Sequence, residues 1–197
     1  MDLIIVHGSP GNGKTTLAQE LHKALESPWF EFGWIPEFTN KNPYTKISQK
    51  EEEQMSFENL VLVCKNYIKH GYKNIIISDL DDIRMLDINE VFNGYNYVII
   101  SLYSEDDDTI KERILTRDNG NSYKNWEESI GINKLIKNRR TLPNEYRIRS
   151  DIHSPQHIRD EVLRILNEHI PITSLNGNNY NKDDYFTYIR GFSYEQS

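Results

Sequence analysis

The chain has 197 residues and a formal net charge of −7, with 37% hydrophobic and 27% charged residues, a balance that fits one soluble globular domain. A single cysteine, Cys64, excludes internal disulfides and cysteine-rich zinc sites. The acidic balance, with runs at Glu51-Glu52-Glu53 and Asp106-Asp107-Asp108, argues against a nucleic-acid partner. No stretch approaches the ~20 consecutive apolar residues of a membrane span, and no basic n-region with a long apolar h-region follows Met1, so the expected setting is the cytoplasm.

Leu3 to Val6 is a continuous apolar run, the pattern of a strand buried on both faces. A glycine-rich segment follows, and then Leu17, Leu21 and Leu25 mark a helix from about Lys14 that ends before Pro28. Phe30 to Ile35 predicts a second strand. Ser48 with Glu51 three residues later is a capping box, and the helix it opens stops at Gly71, with Met55, Leu60, Cys64, Tyr67 and Ile68 along its apolar stripe. Asn74 to Ser78 predicts a third strand ending at Asp79, and a short helix is expected between Ile83 and Phe92.

Tyr97 to Leu102 predicts strand four, and Ser104 with Asp107 predicts a capped helix reaching about Arg117. Helix resumes from Trp126 to about Arg140, Tyr146 to Arg149 predicts strand five, and Ser154-Pro155 opens a last helix that ends near Glu168. Alternation of strand and helix over residues 1–168 implies an α/β domain, a doubly wound parallel sheet of about five strands flanked by helices. Residues 169–197 break the pattern. They form a polar and aromatic C-terminal tail, read either as packed on or frayed from the body, or as a lid or dimer contact.

Gly8-Ser9-Pro10-Gly11-Asn12-Gly13-Lys14-Thr15 fits G-x-x-x-x-G-K-[ST] at every fixed position, between an apolar strand and an amphipathic helix. Glycines let successive backbone N–H groups turn inward around a phosphate, and the helix N-terminus adds partial positive charge there. Lys14 is the residue for the β- and γ-phosphates, and the Thr15 hydroxyl is a ligand for Mg²⁺. Ser9 and Thr16 lie beside the phosphates. The implied cofactors are ATP and Mg²⁺. Asp79, at the end of the third strand, is the candidate second carboxylate on Mg²⁺, with Asp81 and Asp82 as competitors and a turn cap as the plainer reading.

The layout resembles P-loop small-molecule kinases of the nucleoside monophosphate, shikimate and gluconate kinase type. Ile4-Ile5-Val6-His7-Gly8 and Pro28-Trp29-Phe30-Glu31-Phe32-Gly33 are similar to the chloramphenicol phosphotransferase-like proteins. The resemblance implies a P-loop kinase fold and γ-phosphoryl transfer to a hydroxyl or phosphate on a small-molecule acceptor. In the chloramphenicol phosphotransferases a catalytic aspartate lies just beyond the Phe-Gly pair. Here Trp34, Ile35 and Pro36 intervene before Glu37, which is either the general base or an exposed loop carboxylate.

Arg113 and Arg117, four residues apart on one predicted helix face and followed by the loop Asp118 to Ser122, resemble a lid that clamps the transferring phosphoryl group; their plainer reading is pairing with nearby acids. Arg139 and Arg140 are read as surface charges near a helix C-terminus, and the six histidines as structural or exposed. The acceptor region is placed between strand two and the following long helix, where Trp34 and Phe38 flank the loop. Two other readings remain: an ATPase or nucleotide switch acting on a protein partner, and a toxin-like kinase of a sugar nucleotide.

Overall fold

A computed structural model describes residues 1–35, 47–117 and 123–172. The elements in chain order are β1 (Leu3–Gly8), α1 (Lys14–Leu25), β2 (Trp29–Glu31), a 3-10 turn (Phe32–Trp34), α2 (Gln49–Lys69), β3 (Ile75–Ser78), α3 (Asp82–Val91), β4 (Tyr97–Tyr103), α4 (Asp107–Thr116), α5 (Trp126–Asn138), β5 (Glu145–Arg149) and α6 (Pro155–Glu168). The five strands form one parallel sheet in the order β2-β3-β1-β4-β5.

β1 is central because its neighbours cover both edges and helices cover both faces. Leu3 and Ile5 point into one core with Phe57, Leu60 and Cys64 of α2 and with Met85 and Ile88 of α3. Ile4 and Val6 point into the other, with Leu17 and Leu21 of α1 and with Ile158 and Val162 of α6. A strand buried on both faces has no position for a polar side chain until it leaves the core, and the first one, His7, comes at its carboxyl end.

Local signals set most helix ends. In the capping box Ser48 Oγ accepts from Glu51 N at 3.2 Å, and Glu51 Oε2 accepts from Ser48 N at 2.7 Å. Ser154 Oγ accepts from His157 N at 3.2 Å, with Pro155 in the first turn.

Four expectations need correction. The second strand ends at Glu31, and Phe32–Trp34 turns as a 3-10 helix. On α2, Met55 is exposed, and the buried stripe runs through Phe57, Leu60, Val61 and Cys64. The cap of α4 is Asp106, because Ser104 Oγ is spent on Asp106 itself, donating to its carbonyl at 2.7 Å and accepting from its N–H at 3.0 Å. Arg117 lies just past the end of α4 in extended conformation, so the two arginines do not share a helix face. The loop 118–122 and all but the first four tail residues lie outside the described residues.

Candidate phosphate-binding and acceptor site

The phosphate-loop motif occupies the carboxyl end of the central strand. Gly8, at φ 150°, passes so close to β4 that a Cβ there would sit 2.8 Å from the Leu102 carbonyl oxygen. Gly11, at φ 89°, abuts Ile114 and the Ile110 carbonyl of α4. Gly13, at φ 84°, is the N-cap of α1 and faces open space. The loop therefore has a packed back and an open front. Gly13, Thr15 and Thr16 are exposed on the front, whereas Ser9 and Asn12 are buried at the back.

Asn12 holds the loop in this shape. Its Nδ2 donates to Ser9 Oγ at 2.9 Å and to Asn133 Oδ1 of α5 at 3.0 Å, and its Oδ1 accepts from Ser150 Oγ at 3.2 Å. Asn133 in turn grips Ser104 just past β4, accepting from its N–H at 2.9 Å and donating to its carbonyl at 2.8 Å. Arg113 adds a second tie, donating to the carbonyls of Gly11 at 3.4 Å and Ser150 at 3.0 Å. The loop is thus anchored to the ends of β4 and β5 by side chains that face away from its open front.

That front is electrostatically prepared for an anion. Of the six α-helices described, α1 alone has no side-chain cap, and its first turn holds no acidic residue. Its first N–H groups and the positive end of its dipole are left for a ligand. Lys14 Nζ lies 3.4 Å from Asp79 Oδ1, with the lysine side chain 10% exposed and the aspartate 56% exposed. Asp79 takes a positive φ of 65°, which turns it out of the β3 direction as the chain leaves the sheet.

Next to the loop, on the α2–α3 side of the sheet, lies a buried polar row. His7 Nε2 donates to Asp82 Oδ1 at 2.7 Å, and His7 Nδ1 meets Ser101 Oγ at 3.2 Å. Ser101 Oγ donates to Glu145 Oε1 at 2.5 Å, and Arg139 binds both oxygens of Glu145 at 2.7 Å. Burial pushes the Asp82 carboxyl up, but His7, Arg139 and Lys14 outweigh it and hold the group below its ordinary value. Glu145 follows the same pattern: burial raises it, and Arg139, Ser101 and the Leu142 N–H lower it further. Arg139 is accordingly a buried structural arginine, not a surface charge.

Arg117 donates to the Tyr123 carbonyl at 2.7 Å and lies over the Tyr123 ring. Glu37, Phe38 and Tyr44 lie outside the described residues. Trp34 stacks at a tilt on Trp29 with ring centroids 4.9 Å apart and remains half exposed. Sequence reasoning missed two buried polar groups near the carboxyl end of the sheet. One is Glu31 at the end of β2, with its Oε1 buried and without a hydrogen-bond partner; the other is Arg84 in the first turn of α3. Neither sits in a recognisable spacing, and only its place after a strand signals it.

A five-stranded parallel sheet in the order 2-3-1-4-5, with the phosphate-loop motif after its central strand, is the fold of the P-loop small-molecule kinases. Comparison with known proteins agrees. Residues 1–73 match the family model of the chloramphenicol phosphotransferase-like proteins. The fold is similar to a sugar kinase of Janibacter sp. HTCC2649 (TM-score 0.60, 17% identity, covering 88% of this chain and 98% of that one). It is also similar to a gluconokinase of Sinorhizobium meliloti 1021 (TM-score 0.60, 13% identity, 84% and 91% covered). A third likeness is to the shikimate kinase of Acinetobacter baumannii in complex with shikimate (TM-score 0.52, 16% identity, 84% and 93% covered). No curated protein sequence matches the chain. Among the described residues no helix is long and apolar enough to cross a membrane.

Proposed function

We propose that this chain is an ATP-dependent small-molecule kinase that moves the γ-phosphoryl group of Mg·ATP to a hydroxyl or phosphate on its acceptor. The observation that carries this reading is the loop's construction. An intact phosphate-loop motif is braced from behind by Asn12, Asn133 and Arg113, and it opens onto an uncapped helix and a lysine paired with an exposed aspartate.

The roles follow from this placement. Backbone N–H groups of Gly8 to Thr15 and the N-terminus of α1 would cradle the phosphates. Lys14 would exchange Asp79 for the β- and γ-phosphates, stabilising charge that spreads over the transferring group. Thr15, which follows Lys14 in the chain, and Asp79, which pairs with it, are oxygen donors that fit Mg²⁺, which prefers one or two protein oxygens together with phosphates and water. Bound there, the ion would offset charge on the phosphates.

Glu37 is proposed as the general base on the acceptor hydroxyl, Arg117 as the lid arginine, and Arg113 as the side chain that keeps the loop's rear carbonyl in place. The domain is taken as residues 1–168, followed by the tail.

The test is Mg·ATP consumption against a panel of sugars, sugar acids, nucleosides, nucleotides and hydroxylated antibiotics, with products identified by mass spectrometry. Lys14→Ala should abolish the stimulated turnover without loss of fold. Equal turnover in the parent and Lys14→Ala proteins would overturn the assignment.

A further inference from the structure

His7 is 1% exposed, and both of its ring nitrogens meet an oxygen. It follows Leu3 and Ile5 on the face of β1 that α2 and α3 cover, and the pairing of β1 with β4 sets it beside Ser101. Its Nε2 lies 2.7 Å from Asp82 Oδ1, and its Nδ1 lies 3.2 Å from Ser101 Oγ. The protons available to this row decide the charge of the ring.

Glu145 is a carboxylate, because Arg139 donates to both of its oxygens at 2.7 Å and the Leu142 N–H donates to Oε2 at 2.6 Å. Its Oε1 stands 2.5 Å from Ser101 Oγ, a distance that requires a proton between the two oxygens, and only the serine can supply it. A hydroxyl has a single hydrogen. Ser101 therefore turns a lone pair toward His7, and Nδ1 must donate to it. At the other end of the ring, burial opposes the charge of Asp82, but His7, Arg139 and Lys14 hold the carboxyl ionised, and Nε2 donates to it. A ring that donates from both nitrogens is an imidazolium.

That charge has a use at the phosphate loop. Lys14 is close enough to Asp82 to help hold it ionised, yet its ion pair, at 3.4 Å, is with the exposed Asp79. Arg139 and Arg147 face the far end of the row, at Glu145, and Arg84 of α3 faces Glu53 of α2 at 3.9 Å. Glu52, also on α2, is buried and partnered. The cations at the Asp82 end are thus His7 and Lys14. With a neutral ring, the buried carboxylate would draw the lysine instead, since charges attract strongly where water is excluded. A lysine held by an exposed aspartate is released readily to a phosphate; one held by a buried aspartate is not.

We infer that His7 is a positioning residue for ATP binding: as an imidazolium it occupies Asp82 and so keeps Lys14 available to the phosphates. The use made of Lys14 rests on the kinase reading; the charge of the ring does not. His7 takes no part in proton or phosphoryl transfer.

Two measurements on the full chain test this. The first needs no variant. Histidine labelled with nitrogen-15 in the ring is read by NMR at pH ~7.5, above the ordinary imidazole value, where a free ring holds one proton. Both ring nitrogens of His7 should carry a proton. One bare nitrogen would overturn the inference.

The second compares the dissociation constant of a fluorescent ATP analogue with Mg²⁺ in the parent, His7→Gln, Asp82→Asn and the double variant. His7→Gln keeps a donor for Asp82 but loses the charge, and its affinity should fall about tenfold. Adding Asp82→Asn should bring the affinity back to within about threefold of the parent, because no buried charge is left to capture Lys14. A histidine that only fills and props the core gives the opposite, a double variant weaker than either single one. That result, or unchanged affinity in His7→Gln, refutes the positioning role. Should His7→Gln fail to fold, Asp82→Asn alone decides: binding as tight as the parent's or tighter is expected, and weaker binding refutes the role. Lys14→Ala separates the failures. If it binds the analogue as well as the parent, the phosphate-loop reading fails and takes the positioning role with it, while the charge of His7 is judged by the NMR result.

Discussion

The brace behind the phosphate loop gives the sharpest test of the site's architecture, because it separates side chains that shape the loop from groups that face the ligand. Asn12 is 1% exposed and makes three side-chain hydrogen bonds, to Ser9, Asn133 and Ser150. Asn12→Ala removes all three and leaves the Ser150 hydroxyl and one face of Asn133 short of a partner. At about 1 kcal/mol each, the loss is about 3 kcal/mol. For a chain of this size that lowers Tm by about 6–12 °C. Asn12→Asp is expected to be worse, since a buried carboxylate oxygen would face Asn133 Oδ1 in place of an N–H group now 3.0 Å away. Both should weaken binding of a fluorescent ATP analogue, through a loop no longer held to β4 and β5. The coupling between Asn12→Ala and Asn133→Ala, read from a double-mutant cycle in urea, should be at least about 0.5 kcal/mol. The reasoning fails if Asn12→Ala melts within about 2 °C of the parent, less than 1 kcal/mol for this size.

Two further substitutions probe the same end of the sheet. Gly8→Ala places a Cβ 2.8 Å from a backbone oxygen of β4 that cannot move without breaking the sheet, and should cost about 2–3 kcal/mol in a denaturant melt. Gly13→Ala meets nothing within 4 Å and bears only its left-handed backbone, so it should cost about 1 kcal/mol. Equal costs would show that close approach to β4 is not what selects glycine at position 8. Glu145 supplies a pH dependence. Its folded pKa lies below the ordinary 4.5, so its contribution is complete above that value and is lost as pH falls through the lower folded value. Glu145→Gln should therefore destabilise at neutral pH and flatten the acid limb of a Tm–pH profile; a parallel downward shift at all pH values would refute this.

How legible all this was depends on range. Short-range signals were readable: the apolar run of β1, the Ser48–Glu51 capping box and the Ser154-Pro155 start each act over a few residues and appear where expected. Ser104 misled because its hydroxyl had a nearer use, closing a turn onto Asp106. The phosphate loop was legible as a motif, but the motif does not separate residues that face the ligand from those that face the core. Asn12 sits at a variable position in it, and its partners Asn133 and Ser150 are 121 and 138 residues away. Arg139 read as a surface charge because it ends a helix, and only the pairing of β4 with β5 brings Glu145 beneath it. Arg84 gave no signal beyond its place after β3, since burial without a hydrogen-bond partner is a property of what surrounds a side chain in space.

The same logic separates the two aspartates that competed for the metal. Asp82 is buried and has committed an oxygen to His7 within a row that runs to Arg139, so its charge is consumed in holding α3 to the sheet. Asp79 is more than half exposed, and the ion pair it makes with Lys14 among the described residues is the kind an arriving phosphate would displace. Asn tolerates the left-handed conformation that Asp79 adopts, so Asp79→Asn should fold with a stability within about 0.5 kcal/mol of the parent. Its turnover should fall about 10- to 100-fold, with a higher Mg²⁺ concentration needed for half-maximal rate. Asp82→Asn should instead lose about 2 kcal/mol of stability, because a charge-assisted hydrogen bond becomes a neutral one. Mg²⁺ titrations of turnover, alongside urea melts of both variants, read the two effects separately. If Asp82→Asn keeps its stability but loses its response to Mg²⁺, while Asp79→Asn turns over normally, the metal-side carboxylate is Asp82 and the exposed aspartate is only a turn residue.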